Sequence, residues 1–329
     1  MNAWLIPLCL FVGELANMHD SLPACAPLAG FVGAMLGSYI LSHEMFPWFT
    51  LWGWLRLVML FTAMRGTWIV ILIVCAIAMP DKPGVATLVI SGALMCFIFI
   101  WLFWLFMRSL RWIKVLRRPD QRLRSIVAGT SNRIGVPEPR TWLLDVPLAL
   151  AFAMPTTGEL AFSSRLLEIS SDDEISAICA HELAHLMEPK RVLLARIAGS
   201  LSFFPLIFLR PAINFGPSAV CAIAGLVLLA IILVRKLARR METRADKFAT
   251  EKQCANGVYA RALEKLYRDS LIPAVSSTNN KMHPHLYDRM LAAGIQPDFP
   301  LPAKPKKRAW PSYLIWIALG LLLGLYFAK

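Results

Sequence analysis

Between Val85 and Met107 the chain carries no charged residue. A helix of about 20 apolar residues crosses the roughly 30 Å hydrocarbon layer of a bilayer, so this run is expected to span a membrane. Arg108, Arg111, Lys114, Arg117 and Arg118 follow directly. Basic flanks of spans stay on the cytoplasmic side, which puts this end of the span in the cytoplasm. The composition agrees. The chain is 57% hydrophobic and 17% charged, whereas a soluble domain is about half apolar and a quarter charged. Its net charge of +13 lies beside apolar spans and not on a polar face, so a role in orienting helices is expected and nucleic-acid binding is not.

The remaining apolar runs divide the chain. Residues 1–60 form an apolar N-terminal region with one or two possible spans. No basic run precedes its first apolar stretch, so a cleaved leader is not expected. Residues 61–107 read as a transmembrane hairpin turning at Pro80-Asp81-Lys82-Pro83-Gly84. Residues 108–191 are polar and globular in pattern. Residues 192–234 form a second hairpin, turning near Arg210-Pro211 and Asn214-Phe215-Gly216-Pro217 and closed by Arg235, Lys236, Arg239 and Arg240. A polar stretch, 235–308, follows, and 309–329 reads as a C-terminal transmembrane segment. The hairpin at 192–234 thus splits one polar domain, whose halves, 108–191 and 235–308, are expected on the same cytoplasmic side. The seven cysteines are scattered without any CxxC pair, which argues against a disulfide framework or a thiolate metal site. A transporter would need ionisable residues inside several spans; Glu14 and Arg65 do not supply them.

The chemistry concentrates at His181-Glu182-Leu183-Ala184-His185. On a helix, residues four apart lie on one face, so two imidazoles can hold one zinc and the intervening Glu182 stands beside the metal as a general base. Ser171 followed by Glu174 has the spacing of a capping box. Ile175, Ile178, Cys179, Leu183 and Leu186 recur at helical spacing, and Pro189 ends the pattern. A catalytic zinc needs a further protein ligand and an open position. His43, His283, His285 and a carboxylate are the candidates. Glu242-Thr243-Arg244-Ala245-Asp246 stands out, opening a polar helix after the second hairpin. Glu242 can ligate, and Asp246, four residues on, can accept a hydrogen bond from a ligand histidine. The competing reading of that segment is a solvated charged face. His283 and Arg289, six apart, can both donate to a developing oxyanion. An ordinary polar loop leading into a helix explains them as well.

These three elements, in this order, resemble the HtpX and CAAX-prenyl-protease type of gluzincin, with HExxH at His181–His185, ExxxD at Glu242–Asp246, and a His-Pro segment with an arginine six residues on at His283 to Arg289. The alternation of hairpins and polar halves is similar to the HtpX branch, and the likeness covers roughly residues 67–295. Gly135-Val136-Pro137-Glu138-Pro139 and Leu150-Ala151-Phe152-Ala153 also resemble the family, although Leu150 stands where the family usually has Asn. The resemblance implies a mainly α membrane protein: transmembrane helices plus a cytosolic zincin-like α+β catalytic domain with a small β-sheet. Ala149 to Met154 and Leu160 to Ser164 are expected to pair as a hairpin across Pro155-Thr156-Thr157-Gly158, with Ala151, Phe152 and Ala153 receiving an extended substrate.

The resemblance further implies one Zn²⁺ per chain, held by His181, His185 and Glu242, with Asp246 behind the ligands and Glu182, His283 and Arg289 as catalytic groups. The expected activity is zinc-dependent endopeptidase cleavage of protein or peptide substrates, membrane proteins above all, in quality control. The expected place is a bacterial inner membrane, with the lipid bilayer as partner and the active site on the cytoplasmic side. The alternative is a catalytically inactive membrane scaffold that retains the zinc site.

Overall fold

In the computed structural model of the protein, residues 25–275 and 285–303 are described. His283, the first 24 residues and the expected C-terminal span at 309–329 lie outside them. Among the described residues, three helical runs are long and apolar enough to cross a membrane: Val85–Trp112, Lys190–Asn214 and Pro217–Lys252. Only 11%, 11% and 6% of their most apolar windows are buried within the protein. Leu88, Val89, Leu228, Leu229 and Ile232 point outward. Apolar surface on this scale, on helices whose backbone groups are satisfied internally, is suited to lipid. The chain is a membrane protein.

The two hairpins meet at their tips. Met79, Leu94, Ile98 and Ile207 form a small buried cluster. Arg210 Nε donates to Asp81 Oδ1 at 2.7 Å, and Asn214 Nδ2 donates to the Asp81 carbonyl at 2.9 Å. The second hairpin's first arm is not one regular helix. Lys190–Ser200 gives way to a tight 3₁₀ turn at Phe204–Phe208, with Pro205 in its first turn, before Leu209–Asn214 resumes. Proline lacks the N–H that a continuous α-helix would need there.

The small sheet holds four strands: β1 (Leu116–Arg117), β2 (Arg140–Leu144), β3 (Ala151–Met154) and β4 (Glu159–Ser163), in spatial order β1-β2-β4-β3. β2 and β4 run parallel; β1 and β3 are antiparallel to their neighbours. β3 and β4 are joined through Pro155–Gly158, where Gly158 has φ +69°, a left-handed conformation that glycine adopts without steric cost. Every residue of β4 is buried, because both faces of the sheet are covered. Successive side chains point to opposite faces. Ala161 packs with Phe46, Phe49, Trp54, Leu57 and Leu60, from the helix Leu51–Phe61 and the segment before it. Leu160 and Phe162 pack with Leu123 and Val127 of the helix Gln121–Ile134 and with Ile175, Ile178 and Cys179.

Those last three residues belong to the motif helix, Asp172–Leu186. Ser171 Oγ accepts from the Glu174 N–H, and Glu174 Oε2 accepts from the Ser171 N–H at 2.8 Å, closing the capping box. From Glu174 to His185 every residue is buried. The covering elements are the sheet, the helix Gln121–Ile134, the tyrosine helix Val258–Asp269, and the long helix Pro217–Lys252. The sequence suggests a span ending near Val234 and a separate polar helix beyond it. The structure runs one helix through both, since no glycine or proline lies between Leu226 and Lys252 to interrupt it. The carboxylates of its polar half are therefore fixed in register with its apolar half.

Candidate metal centre

His181 and His185 face each other across one helical turn, their Nε2 atoms 3.3 Å apart. The long helix crosses beside them and brings in Glu242. Its Oε2 lies 3.5 Å from His181 Nε2 and its Oε1 lies 3.5 Å from His185 Nε2. Donors from all three residues fall within 4.8 Å of one another. A tetrahedral zinc with ligand distances near 2.0–2.1 Å spaces its donors about 3.3 Å apart. The observed triangle has that size, and nitrogen and carboxylate oxygen are the donors zinc favours. The residues fit the ion.

Each imidazole is oriented from behind. His181 Nδ1 lies 2.8 Å from the Tyr259 hydroxyl and 3.2 Å from Asp246 Oδ1. Tyr259 donates to Asp246 Oδ1 at 2.6 Å, so its oxygen is available to accept from Nδ1–H. Arg289 closes the group. Its Nε donates to Asp246 Oδ2 at 2.8 Å and its Nη2 to Oδ1 at 2.6 Å, with a longer bond to Tyr259. Burial lowers the proton affinity of His181, but hydrogen bonds to Asp246 and Glu242 carry its pKa up to about 9. The same carboxylates that favour a proton there would favour a divalent cation in its place, so a metal bound here would displace a proton. Burial pushes the Tyr259 phenol well above its usual range, keeping it a neutral donor.

His185 is held differently. Its Nδ1 lies 2.9 Å from Glu188 Oε1, and Arg196 Nη2 donates to that same oxygen at 2.9 Å. Glu188, Arg196 and Tyr259 belong to none of the three motifs of the sequence. A tyrosine on the apolar face of the amphipathic stretch Val258, Tyr259, Ala262, Leu263 is the available signal, since a buried phenol needs a partner. Glu188 sits past the helical pattern beside Pro189 and gives no periodic signal.

Glu182 is buried on the motif helix between the two histidines. His43 is elsewhere, its Nδ1 2.9 Å from the Phe49 carbonyl oxygen, and His285 precedes the helix Leu286–Ala292 outside the triad. Cys179 is no ligand: burial, then the charge of Glu182, pushes its thiol up to about 12. Among the described residues, Ala151, Phe152 and Ala153 pair with Phe162, Ala161 and Leu160 along one side only. β3 ends the sheet order and packs against the motif helix. Among the described residues no strand pairs with its outer edge.

The comparisons with known proteins agree with this geometry. The model of peptidase family M48 matches residues 117–294. "Protease HtpX" of Pseudomonas paraeruginosa is 30% identical over 175 residues, covering 47% of this chain and 60% of that protein. "Protease HtpX" of Pseudomonas entomophila is 29% identical over 197 residues, covering 54% and 63%. "Protease HtpX homolog" of Desulfotalea psychrophila is 31% identical over 193 residues, covering 48% and 67%. The matched stretch thus spans about three fifths of the Pseudomonas relatives' length. The family match at 117–294 holds His181, His185 and Glu242 together. The chain belongs to peptidase family M48.

Proposed function

We propose that the protein is a zinc-dependent endopeptidase of the membrane, one Zn²⁺ per chain, acting on unfolded or damaged membrane proteins. The observation that carries this reading is the triangle of His181, His185 and Glu242 at zinc spacing, with a buried glutamate between the histidines. Bound zinc would make a water molecule acidic near neutral pH and polarise the scissile carbonyl. Glu182 takes the proton of the attacking water and returns it to the leaving amine. Asp246 and Tyr259 hold His181 with Nε2 toward the centre, and Arg289 holds Asp246. His283 is assigned to the oxyanion, whereas Arg289, bonded to Asp246 and Tyr259 behind His181, acts on the centre through that carboxylate and not on the oxyanion. The substrate lies extended along Ala151–Ala153, read through its backbone, which tolerates varied sequence.

The basic flanks support a bacterial inner-membrane protein with this centre on the cytoplasmic side, and the division into two hairpins and a split catalytic domain is part of the same proposal. The bilayer and protein substrates are its partners; nucleic acid is not.

The test uses the detergent-solubilised full chain with casein as substrate. Glu182→Gln should lower the rate by about 10²–10⁴-fold, the usual contribution of a general base, while zinc content stays that of the wild type. A chelator should stop the wild-type enzyme and zinc should restart it. Undiminished cleavage by the variant removes the assignment. Zinc binding by a wild type that cleaves nothing would favour a scaffold instead.

A further inference from the structure

His185 is contacted on both sides of its ring. Nε2 faces His181 and Glu242, while Nδ1 lies 2.9 Å from Glu188 Oε1 and 3.1 Å from Arg196 Nη2. Only one placement of hydrogens on this group leaves Nε2 free to ligate. A neutral imidazole carries one N–H. For Nε2 to offer its lone pair, that hydrogen must sit on Nδ1, where it needs an acceptor. Arg196 cannot provide one, because a guanidinium only donates. Glu188 Oε1 can, and it also takes the hydrogen of Arg196. The Glu188 side chain is 3% exposed, and its Oε2 has no hydrogen-bond partner among the described residues, so the carboxylate serves this pair through one oxygen. Without Glu188, the guanidinium would donate directly into Nδ1. The ring hydrogen would then settle on Nε2 and block the ligand position.

We propose that Glu188 is a positioning residue that selects the ligating tautomer of His185 against the nearby cation of Arg196. Its role differs from that of Asp246. Arg289 bonds Asp246 and the Tyr259 hydroxyl, and among the described residues no cation is bonded to His181 Nδ1 itself, whereas Glu188 stands beside an arginine that reaches His185 Nδ1 at 3.1 Å and would otherwise invert it. Arg196 is on the helix Lys190–Ser200, which opens the second apolar run, so the competitor is supplied by the membrane-side element and the acceptor by the loop after the motif helix.

The inference rests on the metal-centre reading, and zinc itself is the probe. Zinc affinity of the purified full chain is measured by competition with a chromophoric chelator, without reference to proteolysis. Losing an outer hydrogen-bond partner of a ligand histidine costs about 10–100-fold in metal affinity. Glu188→Ala should reach the upper end of that range or exceed it. Arg196→Met alone should stay near wild type. The double variant Glu188→Ala/Arg196→Met should bind zinc at least about tenfold more tightly than Glu188→Ala, since the competing donor is gone. A general loss of folding would not be repaired by a second deletion. Glu188→Gln, which keeps an oxygen in the same place, should remain near wild type and covers the case in which the alanine variant does not fold. The proposal is overturned if Glu188→Ala binds zinc as the wild type does, if the double variant is no tighter than the single, or if Glu188→Gln falls as far as the alanine variant. A wild-type chain that takes up no zinc sinks the metal centre itself, and this proposal with it.

Discussion

Asp246 is where the centre's chemistry and its stability meet. The carboxylate is bonded to Tyr259 and Arg289 and lies 3.2 Å from His181 Nδ1, and Arg289 is only 8% exposed. Asp246→Ala therefore leaves a buried guanidinium without its anion, a change that costs about 3–5 kcal/mol. Tyr259→Phe removes one hydroxyl but leaves the ion pair intact. It should cost about 1–3 kcal/mol and lower zinc affinity by about tenfold. Thermal unfolding in detergent should rank wild type above Tyr259→Phe and that above Asp246→Ala. The reverse order would mean that Tyr259, not the ion pair, holds the group. Residues four apart on a helix could be paired from the sequence, so the meeting of His181 with His185 and the shared face of Glu242 and Asp246 were legible. Tyr259 and Glu188 were not. Their positions depend on how separate elements pack, and spacing along the chain carries no trace of that.

The elements that carry these residues are set by short local signals. The motif helix starts where Ser171 and Glu174 cap each other, and Glu174 Oε2 also accepts from Lys265 Nζ of the tyrosine helix at 2.7 Å. Ser171→Ala should cost about 1 kcal/mol, the usual value of a helix cap. The tyrosine helix starts at Gly257, which has φ +78°. A Cβ there would come within 2.4 Å of Ile295 Cδ1. Gly257→Ala should cost at least about 1–2 kcal/mol from the left-handed backbone alone, and it should weaken zinc binding by shifting Tyr259. Ser171→Ala should leave zinc affinity unchanged. Chemical unfolding and chelator competition on the same two variants check both statements; a glycine variant with wild-type zinc affinity would separate the helix start from the site. The capping box and the β3–β4 turn were readable because serine, glutamate and glycine act within a few residues. The continuity of Pro217–Lys252 was not, because a change from apolar to charged composition suggests an end where the backbone has no reason to stop.

At the scale of the whole molecule, the family match begins at residue 117, but the packed unit begins earlier. Phe46, Phe49, Trp54, Leu57 and Leu60 share one buried cluster with Leu116, Leu144, Val146 and Ala161. Trp48 Nε1 donates to the Pro147 carbonyl at 3.1 Å, and Asp145 is paired with both Arg56 and Arg117. The loop from β2 to the edge strand β3 is thus fastened to the helix Leu51–Phe61. From composition alone residues 1–60 suggest spans, because an aromatic-rich apolar stretch looks the same whether its partner is lipid or a sheet. A chain beginning at residue 62 retains every metal ligand but uncovers one face of the sheet. Each large side chain lost from that contact removes about 1.5–3 kcal/mol of burial, and the sum of five, roughly 7–15 kcal/mol, is as large as the whole margin by which domains are stable, about 5–15 kcal/mol. The shortened chain should therefore aggregate in detergent, or show a much lower thermal midpoint and weaker zinc retention on size-exclusion chromatography. A monodisperse shortened chain with the wild-type midpoint would show that the sheet needs no cover, and that the catalytic unit begins where the family match does.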